Sequence, residues 1–501
     1  MPAQTVALPL PDSRADRLSS RAWAALLVLC GALFLDALDV SMIGVALPSI
    51  DSDLHMSTTA LQWVVSAYVL GYGGFLLLGG RAADLLGRRR MFILSLAVFV
   101  VGSGLGGLST GATMLIATRF VKGVSAAFTA PAGFSIITTT FAEGPARNKA
   151  LSIYTATGAT GFSLGLVLGG VLTELGWRWV FFLPTVVAMV VLLGAWRLVP
   201  ASAAPARASR SFDFPGAVSL TGAMLLLVFT LVDAPNVGWG SLRTLGSLAA
   251  VAAILAGFVW QEKRTALPLV RLGILRSSSL VRANLGAMTL FGSWIGFQFV
   301  LTLYLQQLRG WSSLETGAAI FPAGLIVALL SPRMAPLIGR FGVNRLIATG
   351  MLLMVAAYGL FLPVGVHSGY ALAMLPTFLL AGLGFGLAFA PLNVAATAGI
   401  APQEQGLAGG LVNTSFQFGG ALFLAVATAV YDSHHGAGHA PAAIFPGFHA
   451  ALVVSVIAAV LGFVVATFPR RAVAPAAVEE TVASGELAME AAELDLAREA
   501  A

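Results

Sequence analysis

Apolar residues gather along this chain in blocks of about 17–25, divided by short polar stretches, and each block is long enough to cross a ~30 Å hydrocarbon core as a helix. A soluble core has no use for so many blocks of that length. The pattern predicts fourteen spans over residues 22–47, 61–79, 92–108, 113–137, 149–172, 180–198, 214–232, 244–260, 284–308, 316–336, 345–364, 371–397, 405–431 and 447–468. The expected fold class is an all-α polytopic membrane protein of 14 transmembrane helices.

The polar stretches set the orientation. Alternate loops collect Arg81, Arg88, Arg89, Arg90, Arg147, Lys149, Arg207, Arg210, Lys263, Arg264, Arg271, Arg276, Arg282, Arg340 and Arg345, whereas the other set holds little beyond Arg178, Arg243 and Arg309. By the positive-inside rule the basic set is cytoplasmic. Both termini fall on that side, with Arg14, Arg17 and Arg21 before the first span and Arg470 and Arg471 after the last; an even number of spans requires that agreement. Composition fits, at 58% hydrophobic and 10% charged residues, where soluble domains are roughly one quarter charged. The net charge of +6 sits in the loops, so it reflects membrane topology and not nucleic-acid binding. The first block is too long for a signal-peptide core and reads as a retained helix. The single Cys30 lies inside it, which excludes disulfides and thiolate metal clusters. Abundant Ala and Gly with Arg favoured over Lys suggest a GC-rich bacterial genome, and hence a bacterial cytoplasmic membrane.

An internal repeat is faintly legible. The loop after the second span reads Asp84-Leu85-Leu86-Gly87-Arg88-Arg89-Arg90, and that after the tenth reads Gly339-Arg340-Phe341-Gly342-Val343-Asn344-Arg345, with Gly and the final Arg in register. The organisation expected is a cytoplasmic segment 1–21, a six-helix bundle 22–198, a linker 199–213 and two inserted helices 214–260. A cytoplasmic loop 261–283, a second six-helix bundle 284–468 and an acidic tail 469–501 complete it.

Charges within the spans are the most informative positions, because each costs at least ~2.5 kcal/mol at a helix centre unless paired or hydrated. The first span holds Asp36 and Asp39 and the fourth Arg119 and Lys122, each pair spaced i, i+3 on one helix face. Counting ~1.5 Å per residue from the outer ends, Asp39 and Arg119 lie roughly 10–12 Å deep and Asp36 and Lys122 roughly 15–17 Å deep. The simple expectation is two matched pairs at two depths. Such carboxylates serve either as proton carriers or as a static ion-pair clamp between helices.

The segment Gly80-Arg81-Ala82-Ala83-Asp84-Leu85-Leu86-Gly87-Arg88-Arg89-Arg90 has a tight turn and an acid able to cap a helix or pair with an Arg across an interface. At Gly80, Asp84, Gly87, Arg88 and Arg89 it resembles the signature loop of the major facilitator superfamily, which implies a gating role there and a fold of two six-helix bundles. Asp39-Val40-Ser41-Met42-Ile43-Gly44-Val45-Ala46-Leu47-Pro48 resembles the first-helix signature of the fourteen-helix drug:proton antiporter branch, with Gly44 where Asn is usual. Leu115 to Ala127, with Arg119, Gly123 and Ala126, is similar to that branch's fourth-helix motif, whose Arg is implicated in proton relay; Lys122 stands where Gln is usual, alongside the additional acid Asp36. The fifth span carries Gly161, Gly165, Gly169 and Gly170, similar to the exporters' antiporter motif, with Leu166 in place of the usual proline. Small residues at this spacing also serve plain helix packing.

Trp63, Tyr68, Trp294, Gln298, Tyr304, Gln306, Asn393, Asn413 and Gln417 are candidates to line a central cavity, where aromatic faces and a few amides suit amphipathic or aromatic compounds. His434, His435 and His439 read as a solvated outer loop and not a metal site. No Gly-Lys-Ser/Thr phosphate loop and no clustered nucleophile and base occur in the spans. The expectation is thus a transporter and not an enzyme, without cofactor or metal, driven by the proton motive force. Its partners are a small-molecule substrate, protons and the lipid bilayer, and it is expected to function as a monomer. Export of drugs or secondary metabolites is the reading the resemblance implies. A proton-coupled nutrient importer and a non-transporting sensor acting through the acidic tail are the alternatives.

Overall fold

The structure, a computed structural model, describes residues 20–141, 145–200, 214–265, 268, 270–400, 404–434 and 441–467. The helices in chain order are α1 (Ser20–Leu54), α2 (Thr58–Leu86), α3 (Arg88–Gly107), α4 (Ala112–Thr140), α5 (Pro145–Leu175), α6 (Trp179–Leu198), α7 (Phe214–Val237) and α8 (Leu242–Arg264). There follow α9 (Ser278–Leu303), α10 (Ser313–Leu330), α11 (Met334–Phe341), α12 (Val343–Phe361), α13 (Leu375–Thr397), α14 (Gln405–His434) and α15 (Pro441–Thr467). Among the described residues there is no strand. Thirteen of the helical stretches are long and apolar enough to cross a membrane, and Val218–Ala234 within α7 is a shorter apolar stretch. Of the expected terminal segments 1–21 and 469–501 and linker 199–213, residues 1–19, 469–501 and 201–213 lie outside the described residues, as do His435 and His439.

Several helices run beyond their apolar blocks, α2 to Leu86 against an expected 79 and α9 from Ser278 against an expected 284 among them, and two differences stand out. The first helix does not end near residue 47 but runs through Pro48 to Leu54, because apolarity marks where a helix can cross lipid and not where its hydrogen bonds stop. The tenth span is broken: α10 passes through a 3-10 turn at Ser331–Arg333 into α11. Pro332 has no N–H to give an α-helical ladder, and the chain passes it in the tighter 3-10 turn.

Helix starts follow their local sequence. Ser57, Ser241 and Ser277 accept hydrogen bonds from backbone N–H groups three residues on, at 3.2 to 3.3 Å, and Ser312 with Glu315 forms a reciprocal capping box. The α2–α3 and α11–α12 turns each close on a left-handed glycine, Gly87 at φ +98° and Gly342 at φ +79°. No neighbour lies within 4 Å of a Cβ at either, so backbone conformation and not space calls for glycine.

Packing repeats between the two parts of the chain. As α1 packs on α5, α9 packs on α14; as α2 and α3 pack on α4, α10 and α12 pack on α13. The two bundles meet along α5–α10 and α2–α14, and α7 lies against both α2 and α14. Burial separates inner helices from outer ones: 89% of the apolar window of α9 is buried, against 17% in α8. Exposed Leu27, Leu94, Val101, Val190, Leu193 and Leu242 belong to an apolar outer surface, as expected of helices whose solvent is lipid.

Candidate functional site

The four charges predicted inside the first and fourth spans come together between α1 and α4, but not as two matched pairs. Asp39 accepts from both Arg119 Nη1 and Lys122 Nζ, while Asp36 Oδ2 is buried without a hydrogen-bond partner. All three members of the knot are at most 1% exposed. The i, i+3 spacing assigned each charge to a helix face. It did not capture the reach of the lysine stem, which brings Lys122 to the same carboxylate that Arg119 holds.

Neighbouring helices complete the knot. Arg119 Nε donates to the Val64 carbonyl of α2 at 3.0 Å, and its guanidinium lies 4.6 Å above the centre of the Tyr68 ring. Lys122 donates to Ser103 Oγ of α3 at 3.0 Å, Ser103 donates onward to the Phe181 carbonyl at 3.0 Å, and Phe99 and Phe181 present ring faces 4.7 and 5.0 Å from the ammonium. Gly102 leaves room for the lysine, since a Cβ there would stand 3.1 Å from Lys122 Cγ. Both cations are thus hydrogen-bonded and covered by aromatic faces. Ser103, Phe99 and Phe181 escaped the sequence reading because nothing in their own spacing marks them.

The α5 glycines bear on this site. A Cβ on Gly161 would meet Phe34 O at 2.6 Å, on Gly165 Ser41 Oγ at 2.0 Å, and on Gly169 Met42 Cα at 2.8 Å. They form a ridge against the stretch of α1 that carries both acids. Gly170 faces the other way, toward Leu314 of α10, so one helix touches the charged helix and the opposite bundle.

In the expected gating loop, Gly87 supplies the turn and Arg89 donates to the Trp196 carbonyl in the last turn of α6 at 2.5 Å, a favourable place for a cation. Arg88 is half-buried. Gly80 has room for a side-chain carbon, since a Cβ there would stand 3.8 Å from Pro131 Cβ. The side chain of Asp84 lies outside the described residues.

The expected cavity residues separate into four groups. Tyr68 is fully buried beneath Arg119 and belongs to the charge knot, with Trp63 half-buried in the same cluster. Tyr304 is turned into the second bundle, where it donates to Gly365 O at 2.8 Å and packs on Phe361 and Phe448. Trp294, Gln298 and Gln417 lie at the bundle interface: Gln298 Nε2 is 2.9 Å from the Cβ position of Gly44, and Gln417 packs on Gly73. Gln306 bridges the bundles by donating to Val45 O at 2.9 Å. Asn393 and Asn413 are more exposed and donate to carbonyls of their own helices. His434 ends α14, its Nδ1 2.9 Å from Val430 O.

An aromatic ladder went unread in the sequence. Phe162 of α5 meets Trp294 of α9 at 6.3 Å between ring centres, Trp294 meets Phe385 of α13 at 5.9 Å, and Phe385 stacks on Phe389 at 5.5 Å. Phe389 meets Phe416 of α14 at 4.9 Å. The i, i+4 spacing of Phe385 and Phe389 was the available signal.

Residues 29–424 match the sequence profile of the Major Facilitator Superfamily. The chain is 36% identical over 461 residues to the puromycin resistance protein pur8 of Streptomyces alboniger, covering 88% of this chain and 89% of that one. It is 37% identical over 418 residues to the cephamycin export protein CmcT of Amycolatopsis lactamdurans, covering 83% and 86%. The crystal structure of the human organic anion transporter MFSD10 is similar in fold, with a TM-score of 0.59 at 19% identity over 90% of this chain and 100% of that one. With its paired bundles and a profile match through most of its length, the chain belongs to the Major Facilitator Superfamily.

Proposed function

We propose that this protein is a proton-driven exporter of drugs or secondary metabolites, of the fourteen-helix drug:proton antiporter branch. It works as a monomer in the bacterial cytoplasmic membrane with both termini in the cytoplasm. The observation that carries the reading is the buried Asp39 knot on a helix that packs against α5, which itself packs on the opposite bundle. A proton on Asp39 cancels the charge that holds Arg119 and Lys122 and so loosens α1 from α4. The tight α1–α5 contact passes that change to the α5–α10 interface, and the bundles rock to open the site to the other side. The energy source is the proton gradient; no cofactor enters the cycle.

Export as the direction is supported by the resistance and export functions named for the two bacterial relatives. The ladder of Phe162, Trp294 and Phe385 across the bundle interface favours an amphipathic or aromatic substrate. The test is ethidium movement into inverted membrane vesicles under an imposed proton gradient. Gradient-dependent uptake in wild type, lost in Asp39→Asn, supports the reading; transport by Asp39→Asn at the wild-type rate removes Asp39 from the coupling role. Movement only in the opposite direction leaves the importer.

A further inference from the structure

The geometry points to Asp36 as a second proton-carrying site, distinct from Asp39, with Lys122 as the cation that the two carboxylates share. The inference rests on the proton-coupled transport proposed above and adds a second titrating acid to it. Asp36 lies one turn from Asp39 on α1, is 6% exposed, and its Oδ2 has no hydrogen-bond partner. The nearby cations are engaged elsewhere, since Arg119 and Lys122 each donate to Asp39. A buried carboxylate oxygen without a partner is unfavourable as an anion and acceptable in the neutral acid. The arrangement is therefore that of a protonated Asp36 beside an ionised, doubly paired Asp39.

The titratable surroundings of Asp36 are few. They are Asp39 on its own helix, Tyr68 and Tyr72 of α2, Lys122 of α4 and Tyr154 of α5. The helices α6, α9 and α10, which also pack on α1, carry Arg197, Arg282 and Glu315 as their only charged residues, each near a helix end. Among the described residues Lys122 is the cation that interacts with both acids, and its flexible stem lets the ammonium move between them.

The exchange is simple. When Asp36 loses its proton to water on the side to which the site is open, the O–H bond breaks and a carboxylate forms. Lys122 keeps its three protons and swings toward Asp36, leaving Asp39 with Arg119 alone. Uptake of a proton by Asp36 reverses the shift. The matched pairing expected from helix depth is then the second state of the same four residues.

Infrared difference spectra of the full-length protein in lipid, recorded across pH without substrate, test this directly. The expected wild-type spectrum contains the carbonyl stretch of a buried protonated carboxylic acid, which disappears as pH is raised. Asp36→Asn loses the band, and Asp36→Glu, which keeps the acid, shifts its frequency. Lys122→Gln, lacking the competing cation, holds the band to higher pH. A band unchanged in Asp36→Asn, or no such band in wild type at any pH where the protein is folded, overturns the inference. Ethidium transport on the same preparations separates the two readings: no gradient-driven movement with the Asp36 band present defeats the export reading alone, and movement with a band independent of Asp36 defeats this one alone.

Discussion

The two bundles share a packing plan and divide the chemistry. Between α1 and α4 the first bundle buries Asp36, Asp39, Arg119 and Lys122. Between α9 and α13, which occupy the matching places in the second bundle, Trp294 and Phe291 meet Phe385 at 5.9 and 6.4 Å. Among the described residues from α9 to α15, no charged side chain is buried. A fold built by repetition has therefore kept its backbone contacts while one copy holds charge and the other holds aromatic faces. Under the proposed function this division assigns coupling to the first bundle and recognition to the aromatic faces, with α5 and α10 packed together where the two bundles meet.

The sharpest test of that division is to remove the anion on which the knot depends. Asp39→Asn leaves two buried cations without their shared partner, a loss of about 3–5 kcal/mol by analogy with broken buried pairs. The expected outcome is a markedly lower melting temperature in detergent together with gradient-driven ethidium transport at background. An unchanged melting temperature means the knot holds no structure, and the contrast between bundles loses its physical basis.

Next in size is a pair of substitutions at matching helix contacts. In Gly165→Val the Cβ stands 2.0 Å from Ser41 Oγ on α1; in Gly419→Val it stands 2.2 Å from Met288 O on α9. Each is expected to destabilise by about 1–3 kcal/mol through overpacking, read as similar drops in melting temperature. They differ in function, because only α1 carries the acids: Gly165→Val alters the pH dependence of ethidium transport, whereas Gly419→Val lowers its rate at every pH. Identical pH profiles would show that the α5 ridge does not bear on the carboxylates.

The sequence made the helices legible and the site only half so. Apolar blocks marked each span because lipid imposes their length, and Gly87 and Gly342 were readable since each follows a helix and precedes another at a turn that only glycine adopts easily. The four buried charges stood out because lipid makes each of them costly. Matched depth paired Asp39 with Arg119, as the structure does, but not Lys122 with the same carboxylate, because that contact depends on helix rotation and on how far a lysine stem reaches, and neither is written in an i, i+3 spacing. Ser103 and Phe181 belong to the site only through helices α3 and α6 folding over it. The break at Ser331–Arg333 was marked by Pro332, but within an otherwise apolar block the proline alone did not distinguish a kink from a tolerated residue.

A smaller effect on transport is expected in the aromatic copy. Trp294→Ala removes ring contacts to Phe162, Phe297 and Phe385, each pair worth about 0.5–1.5 kcal/mol. If the ladder recognises substrate, KM for ethidium rises roughly two- to tenfold while the pH profile stays as in wild type. A changed pH profile with unaltered KM would reverse the assignment of roles between the bundles.

The smallest effect belongs to the same residue type in the opposite setting. Asp53 pairs with Arg178 at 2.6 Å and accepts from Trp177 Nε1 at 2.9 Å, a geometry as good on paper as that of Asp39. The difference is water: the partners are 46% and 40% exposed, so solvent screens the attraction and hydrates either charge left behind. Asp53→Asn is therefore expected to leave melting temperature unchanged within error and ethidium transport within about twofold of wild type. Should it instead match Asp39→Asn, burial is not what gives the knot its weight, and the helix end around Asp53 has to be counted as part of the gate.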